Sequence, residues 1–260
     1  MENPKVAVMR FLPGTLCIST ETDIPLLLKV HQAGHATVRQ LYRSLMPQFD
    51  KNQWDSFNRR TRILAGHGFL VRQPAVALDS HVVSLGEAGE DHLRSRSRTM
   101  VEAISRSPRN GKRDQLMHDV ELFELHLALM QSGIVTGWQF ESEIRADNDF
   151  TTYGYAKDYD AVMTIQRGQQ SIKIALEYER TPKTSREYGR IVATVNRETR
   201  VAGVIYLVCN LHMESFLAHA LRGASCPMYI ARANSFAVDP RNAILLDTRL
   251  RRQFRLADVF

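Results

Sequence analysis

The sequence predicts an α+β protein in two parts: a small helical unit closed by a β-hairpin, then a larger unit built on a mixed sheet. Three observations predict this. Residues 22–95 carry three helical apolar periodicities followed by two short alternating runs. Residues 115–260 read helix, three strands, helix, strand, helix, strand, an order that places helices on both faces of one mixed sheet. Between them, residues 96–114 are turn-rich and basic, as a linker would be. Arg94, Arg96, Arg98, Arg106, Arg109, Lys112 and Arg113 face Glu102 alone, an excess equal to the net charge of +6 of the whole chain.

In the first part, Ile24, Leu27, Leu28 and His31 share a helical face, and Gly34 suits the cap that ends it. Thr37 suits the N-cap of a second helix with Val38, Leu41 and Leu45 inward, and Asp50 with Gln53 approaches a capping box for a third. That third helix turns Trp54, Phe57, Thr61 and Leu64 inward and Lys51, Ser56, Asn58, Arg59, Arg60 and Arg62 outward. Gly66 and Gly68 turn the chain into a strand at 69–73. A loop through Pro74 and Asp79 leads to a returning strand at 81–85, and Gly86 and Gly89 frame a last helix. His31, His35 and His67 read as packing or surface residues.

Three helices and a hairpin are the order of a winged helix-turn-helix. The phrase "LAGHGFLVR…HVVSLGEAGEDHL" resembles the recognition helix, wing and closing helix of bacterial winged-helix regulators. That resemblance implies double-stranded DNA as partner. Lys51, Asn58, Arg59, Arg60 and Arg62 would lie toward bases or phosphates, and Arg72 of the wing on the backbone. A solvated arginine face and a protein-docking module are the other readings of the same residues.

In the second part, Leu116, Val120, Phe123, Leu127 and Met130 mark the apolar side of a helix over 115–132, which Gly133 ends. Strands are predicted at 137–145, 157–165 and 171–180, with a hairpin at "RGQQ". A helix over 185–198, a strand "VAGVIYLVC", a helix "LHMESFLAHALRG" and a strand "CPMYIARA" follow. The arginine-rich tail from 243 reads either as an added strand and helix or as a basic dimer arm. Period two puts Lys173, Ala175, Glu177 and Glu179 on one face of the third strand. Asp158 and Asp160 share a face of the second.

The element order, with Asp160 on the second strand and Glu177-x-Glu179 at the end of the third, resembles the PD-(D/E)xK nuclease superfamily. With the helical first part, and with His118, Trp138 with Glu141, "YDAV" at 159–162 and "LEYERT" at 176–181 as the matching residues, the chain resembles the replication-relaxation family of plasmids and mobile elements. The resemblance implies a restriction-endonuclease-like domain over 115–260. If that site works, Asp160, Glu177 and Glu121 would hold Mg²⁺, and Glu179 or Lys183 would assist. The motif lysine that steadies the transition state is Glu179 here, and Tyr159 stands where a proline precedes the aspartate. Lys173 lies on the right face but two pleats away, roughly 13 Å. Strand-end carboxylates paired with Arg180 or Arg186 are the plainer reading. Arg186, Arg190 and Arg197 form a helical stripe suited to a phosphate backbone, unless Glu187 and Glu198 balance it. Tyr153 and Tyr155 are candidates for stacking on bases.

The chain has 260 residues, 44% of them hydrophobic and 24% charged, ordinary values for a globular protein. No apolar run of about 18 residues exists, which speaks against a membrane partner. The N-terminus lacks an export leader, and the three cysteines have no zinc spacing, so a cytoplasmic location with reduced thiols is expected. These readings lead to a homodimeric, sequence-specific DNA-binding regulator of a plasmid or mobile element, acting on transcription, replication or transfer. Its nuclease-like domain would be degenerate and without a cofactor. A Mg²⁺-dependent endonuclease targeted by its winged helix is the alternative.

Overall fold

The computed structural model describes residues 16–45, 53–75, 78, 80–96 and 113–259. Most of the basic linker at 96–114 lies outside them, as do Lys51 and Asp50. The chain divides into two compact units, Met1–His31 with Thr37–Arg96, and Gln32–Ala36 with Ser97–Phe260.

From Asp23 to Arg96 the elements are α1 (Asp23–Ala33), β1 (Ala36–Thr37), α2 (Val38–Leu45), α3 (Trp54–Gly66), β2 (Leu70–Ala75), β3 (Ser80–Leu85) and α4 (Glu87–Arg96). Gly34 takes φ 73°, the left-handed turn that ends α1. Thr37 caps α2: its Oγ1 accepts from Gln40 N at 3.1 Å, while Gln40 Oε1 accepts from Thr37 N at 2.9 Å. Val38, Leu41 and Leu45 of α2 and Phe57, Thr61 and Leu64 of α3 are buried, as their spacing predicts. On α1 the buried set is Asp23, Leu26, Leu27, Val30, His31 and Ala33, so the stripe is turned from the predicted one. β2 and β3 form an antiparallel hairpin, with β1 on the other side of β3. Pro74, predicted in the loop, lies within β2 opposite His81. A Cβ on Gly89 would stand 2.2 Å from the carbonyl oxygen of Phe69, so α4 approaches the chain before β2 as only glycine permits.

The second unit runs α5 (Arg113–Ser132), β4 (Val135–Phe140), α6 (Glu141–Phe150), β5 (Ala161–Arg167), β6 (Gln170–Glu179), α7 (Ser185–Val195), β7 (Gly203–Val208), α8 (Leu211–Ala220), β8 (Met228–Arg232), α9 (Ala233–Val238), β9 (Ile244–Asp247), β10 (Gln253–Arg255) and α10 (Leu256–Val259). Its seven strands are ordered β10-β9-β8-β7-β6-β5-β4. β6, β7 and β8 are parallel and the remaining pairs antiparallel, so the sheet is mixed as predicted. On one face Ile174, Leu176 and Tyr178 pack with Leu122, Leu125 and Leu129 of α5, Phe236 of α9 and Leu256 of α10. On the other, Ala175, Val204, Tyr206 and Val208 pack with Ile144 of α6, Tyr188 and Val195 of α7 and Leu217 of α8.

Three expectations change. The first strand stops at Phe140, and residues 141–150 are helical. Glu143 caps this helix by accepting from Phe140 N at 2.8 Å, and Arg145 pairs with Glu141 one turn back. The second strand begins at Ala161, because Asp158 turns aside to Asn148 Nδ2 at 2.8 Å. Met130, placed on the apolar side of α5, is 38% exposed, while Leu125 and Leu129 are buried. The tail adds strands and a helix to the sheet edge. Among the described residues no helix is long and apolar enough to cross a membrane.

Candidate functional site

β6 carries Glu177 and Glu179 to its C-terminal end on the face away from α5, where both are buried. Ala161 pairs with Leu176, so Asp160, one step before β5, stands across from Glu177. Hairpin register thus places two acidic groups opposite each other. Lys157, from the loop before Asp160, brings its Nζ to 2.7 Å from Glu177 Oε1. That oxygen takes no aligned hydrogen bond from any described residue, so the contact is ionic. Burial pushes the Glu177 carboxyl up, Lys157 pulls it back and Asp160 adds to the push, leaving it at about 7. Burial opposes the charge on Lys157, but Glu177 first, then Asp160 and Glu179, raise its pKa above the ordinary lysine value.

Asp160 Oδ2 accepts from Tyr178 N at 2.7 Å and faces His118 Nε2 of α5 at 3.3 Å. Burial alone would raise this carboxyl. His118, the Tyr178 amide and Lys157 hold it below its ordinary value. His118 Nδ1 lies 3.5 Å from Asp119 Oδ1. Against the cost of its own burial, Asp119 and Asp160 raise the imidazole from 6.5 to about 10. Glu121 accepts from the Tyr178 hydroxyl at 2.9 Å and forms an ion pair with Arg180, whose Nε lies 3.0 Å away. Glu179 pairs with Lys183, whose amide donates to the Tyr188 hydroxyl at 3.1 Å.

Each carboxylate proposed as a metal ligand therefore has its own positive partner: Arg180 on Glu121, His118 on Asp160, Lys157 on Glu177. Among the described residues no three His, Cys, Asp or Glu side chains gather as a metal-holding group. The donor set does not fit a Mg²⁺ ion, which needs about six oxygens at close to octahedral geometry. The plainer sequence reading foresaw that the strand-end carboxylates are paired but named the wrong cations: Lys157, His118 and Lys183 meet them, and Arg180 meets Glu121 of α5 instead. Lys157 was missed, and its one sequence signal is a cation three residues before Asp160. Lys173 donates to the Tyr155 hydroxyl at 3.2 Å and serves a different place. Tyr155 itself is buried, with the Arg200 guanidinium 4.1 Å from its ring centroid, so it does not present a face for base stacking; Tyr153 is 85% exposed.

The basic residues fare unequally. Arg59 and Arg62 of α3 are exposed, and Asn58 is half-buried. Arg60 is not presented to solvent as its neighbours are. Its Nε donates to Asp23 Oδ1 at 2.8 Å, a second nitrogen pairs with Oδ2, and that nitrogen also reaches Cys17 O at 2.8 Å. This is a two-pronged clamp on a carboxylate only 1% exposed, so Arg60 is structural. Arg72 on β2 is half-buried, and its Nε and one terminal nitrogen find no hydrogen-bond partner among the described residues. Burial and then the nearby Arg62 charge lower its pKa, so two cations lie close together. In the second unit Arg186 and Arg190 are exposed on α7. Glu187 is turned to another task, because it closes a capping box with Thr184, accepting from Thr184 N at 2.8 Å. Glu198 is likewise taken by Tyr159 Oη at 3.0 Å and Ala156 N at 2.8 Å.

No known family model matches the chain, and no curated protein matches it. Among solved structures, the restriction endonuclease FokI bound to DNA is similar over 82% of this chain and 42% of that one, at 11% identity and a TM-score of 0.27. FokI without DNA is similar over 83% and 43%, at 9% identity and a TM-score of 0.24. The chain spans less than half the length of FokI, and likeness at these TM-scores carries no inference about fold or activity.

Proposed function

We propose that the chain is a double-stranded-DNA-binding regulator that grips the phosphate backbone and does not cut it. The observation that carries this reading is Arg72, whose donors are left unpaired among the described residues on the hairpin of a unit whose helix α3 exposes Arg59 and Arg62. Unpaired cations of this kind favour a polyanion as their counterion. In a winged-helix arrangement α3 would enter the major groove through Arg59, Arg62 and Asn58. Arg72 would hold the backbone beside it, and Lys51, assigned by sequence alone, would take a phosphate too. Arg186 and Arg190 of α7, with no ion-pair partner among the described residues, would add backbone contacts from the second unit. Control of transcription, replication or transfer on a plasmid or mobile element, through a homodimer on paired half-sites, completes the reading.

The lack of fit to Mg²⁺ supports a regulator over the endonuclease reading. Asp160, Glu177, Glu179 and Lys183 then belong to a charge-paired network rather than a cutting centre. The test is to recover the DNA bound in cells and measure retardation of those duplexes across a salt series. Discrete paired sites, bound with a steep inverse salt dependence, support a regulator. Absence of retardation at low salt refutes DNA binding, and Mg²⁺-dependent plasmid scission lost in Asp160→Ala refutes the non-cutting role.

A further inference from the structure

We infer that Lys157 is the resident cation of the carboxylate pocket: its ammonium occupies the ground beside Glu177 that a divalent ion would need, and its removal opens a cation site. The placement is built, not casual. The loop is pinned on both sides of Lys157, by Ala156 N on Glu198 at 2.8 Å and by Asp158 on Asn148 at 2.8 Å. The Lys157 side chain is 23% exposed and that of Glu177 8%. The ammonium also lies 5.5 Å from the Tyr159 ring centroid, a cation–π distance. Glu177 Oε1, buried and without another donor among the described residues, would be left without a counterion if Lys157 were neutral.

Charge balance points the same way. Asp160, Glu177 and Glu179 each already have a cationic partner, in His118, Lys157 and Lys183. A divalent ion added among them would be repelled by those cations. With Lys157 neutral, Glu177 loses its ion-pair partner and its oxygen, beside Asp160, becomes open to an oxygen-liganded cation. The lysine therefore does the neutralising that a metal would do, and keeps the metal out. The inference stands on the second unit alone, and its failure leaves the DNA-binding reading untouched.

The experiment uses the full chain and Mn²⁺ alone, following free Mn²⁺ by electron paramagnetic resonance. It compares the native protein with Lys157→Gln, Lys157→Arg and the double variant Lys157→Gln/Asp160→Asn. The charge-free variant is expected to bind one Mn²⁺ about tenfold tighter than the native chain or more. Lys157→Arg is expected to behave as native, and Asp160→Asn to abolish the gain. A native chain that takes up one Mn²⁺ in an Asp160-dependent manner overturns the inference, whatever the variants do. A folded Lys157→Gln that binds no tighter than native overturns it too. Should Lys157→Gln prove unfolded alone, refolding on addition of Mn²⁺ supports the inference and absence of rescue overturns it.

Discussion

Arg60 offers the sharpest test of which arginines on α3 build the protein and which face outward. Its guanidinium covers the Asp23 carboxylate, which is 1% exposed on its side chain, while Arg60 itself is 30% exposed. Arg60→Ala leaves that carboxylate buried with Ser19 N as its remaining donor, at 2.8 Å. Breaking a buried pair by removing one partner costs about 3–5 kcal/mol; Ser19 and the partial exposure of Arg60 place the expected loss near the lower end, about 3 kcal/mol. Arg59→Ala and Arg62→Ala remove exposed side chains and should change stability by no more than about 0.5 kcal/mol. Hydrogen exchange of α1 and α3 amides reads this directly, because about 3 kcal/mol corresponds to roughly two powers of ten in exchange rate. The reasoning fails if Arg60→Ala leaves α1 and α3 protection at the native level, or if Arg62→Ala loosens them as much.

Three further outcomes are expected. Arg62→Ala and Arg72→Ala should each weaken duplex retardation across sequences and flatten the plot of log affinity against log salt by about one unit, as loss of one phosphate contact does; an unchanged slope removes them from the interface. His118 should govern stability on the alkaline side. Its pKa is raised from 6.5 to about 10, so its contribution is full below 6.5 and lost as pH rises through about 10. The urea midpoint of the native chain should fall over that interval relative to His118→Gln, and parallel pH curves would show the imidazole to be unperturbed. Gly89→Ala drives a Cβ to 2.2 Å from the Phe69 carbonyl oxygen, backbone against backbone, and should lower stability by about 2 kcal/mol or more, read by thermal melting; a native melting temperature would mean that α4 shifts without cost.

Where local signals decided the structure, the sequence was readable. Val38, Leu41 and Leu45 announced α2 by spacing and Thr37 its start, while Gly34 marked the end of α1. The alternation from Ile172 to Glu179 announced β6 and sorted its two faces. The misreadings fall where a distant or competing partner decides. "GWQFESEIR" keeps period two through Glu143, yet Glu143 turns back to cap Phe140 N and starts a helix. Arg60 is indistinguishable by type from Arg59 and Arg62, and only Asp23, 37 positions away, makes it internal. Lys157 was invisible for the same reason: Glu177 meets it only once the β5–β6 hairpin has closed. The acidic motif was thus legible as chemistry, while the cations that neutralise it were not, because pairing is a property of the fold.

The far margin of the second sheet depends on very little material. β10 supplies three residues, and the fully buried Leu256 of α10 follows at once. Those few positions stand between β9 and any stray strand seeking a partner. A proteolytic nick ahead of Gln253 would unseal four residues of naked ladder, Ile244 among them already 45% exposed, and invite self-adhesion of the whole population. Handling of this protein would then be limited by the soundness of its last short strand rather than by the strength of its core.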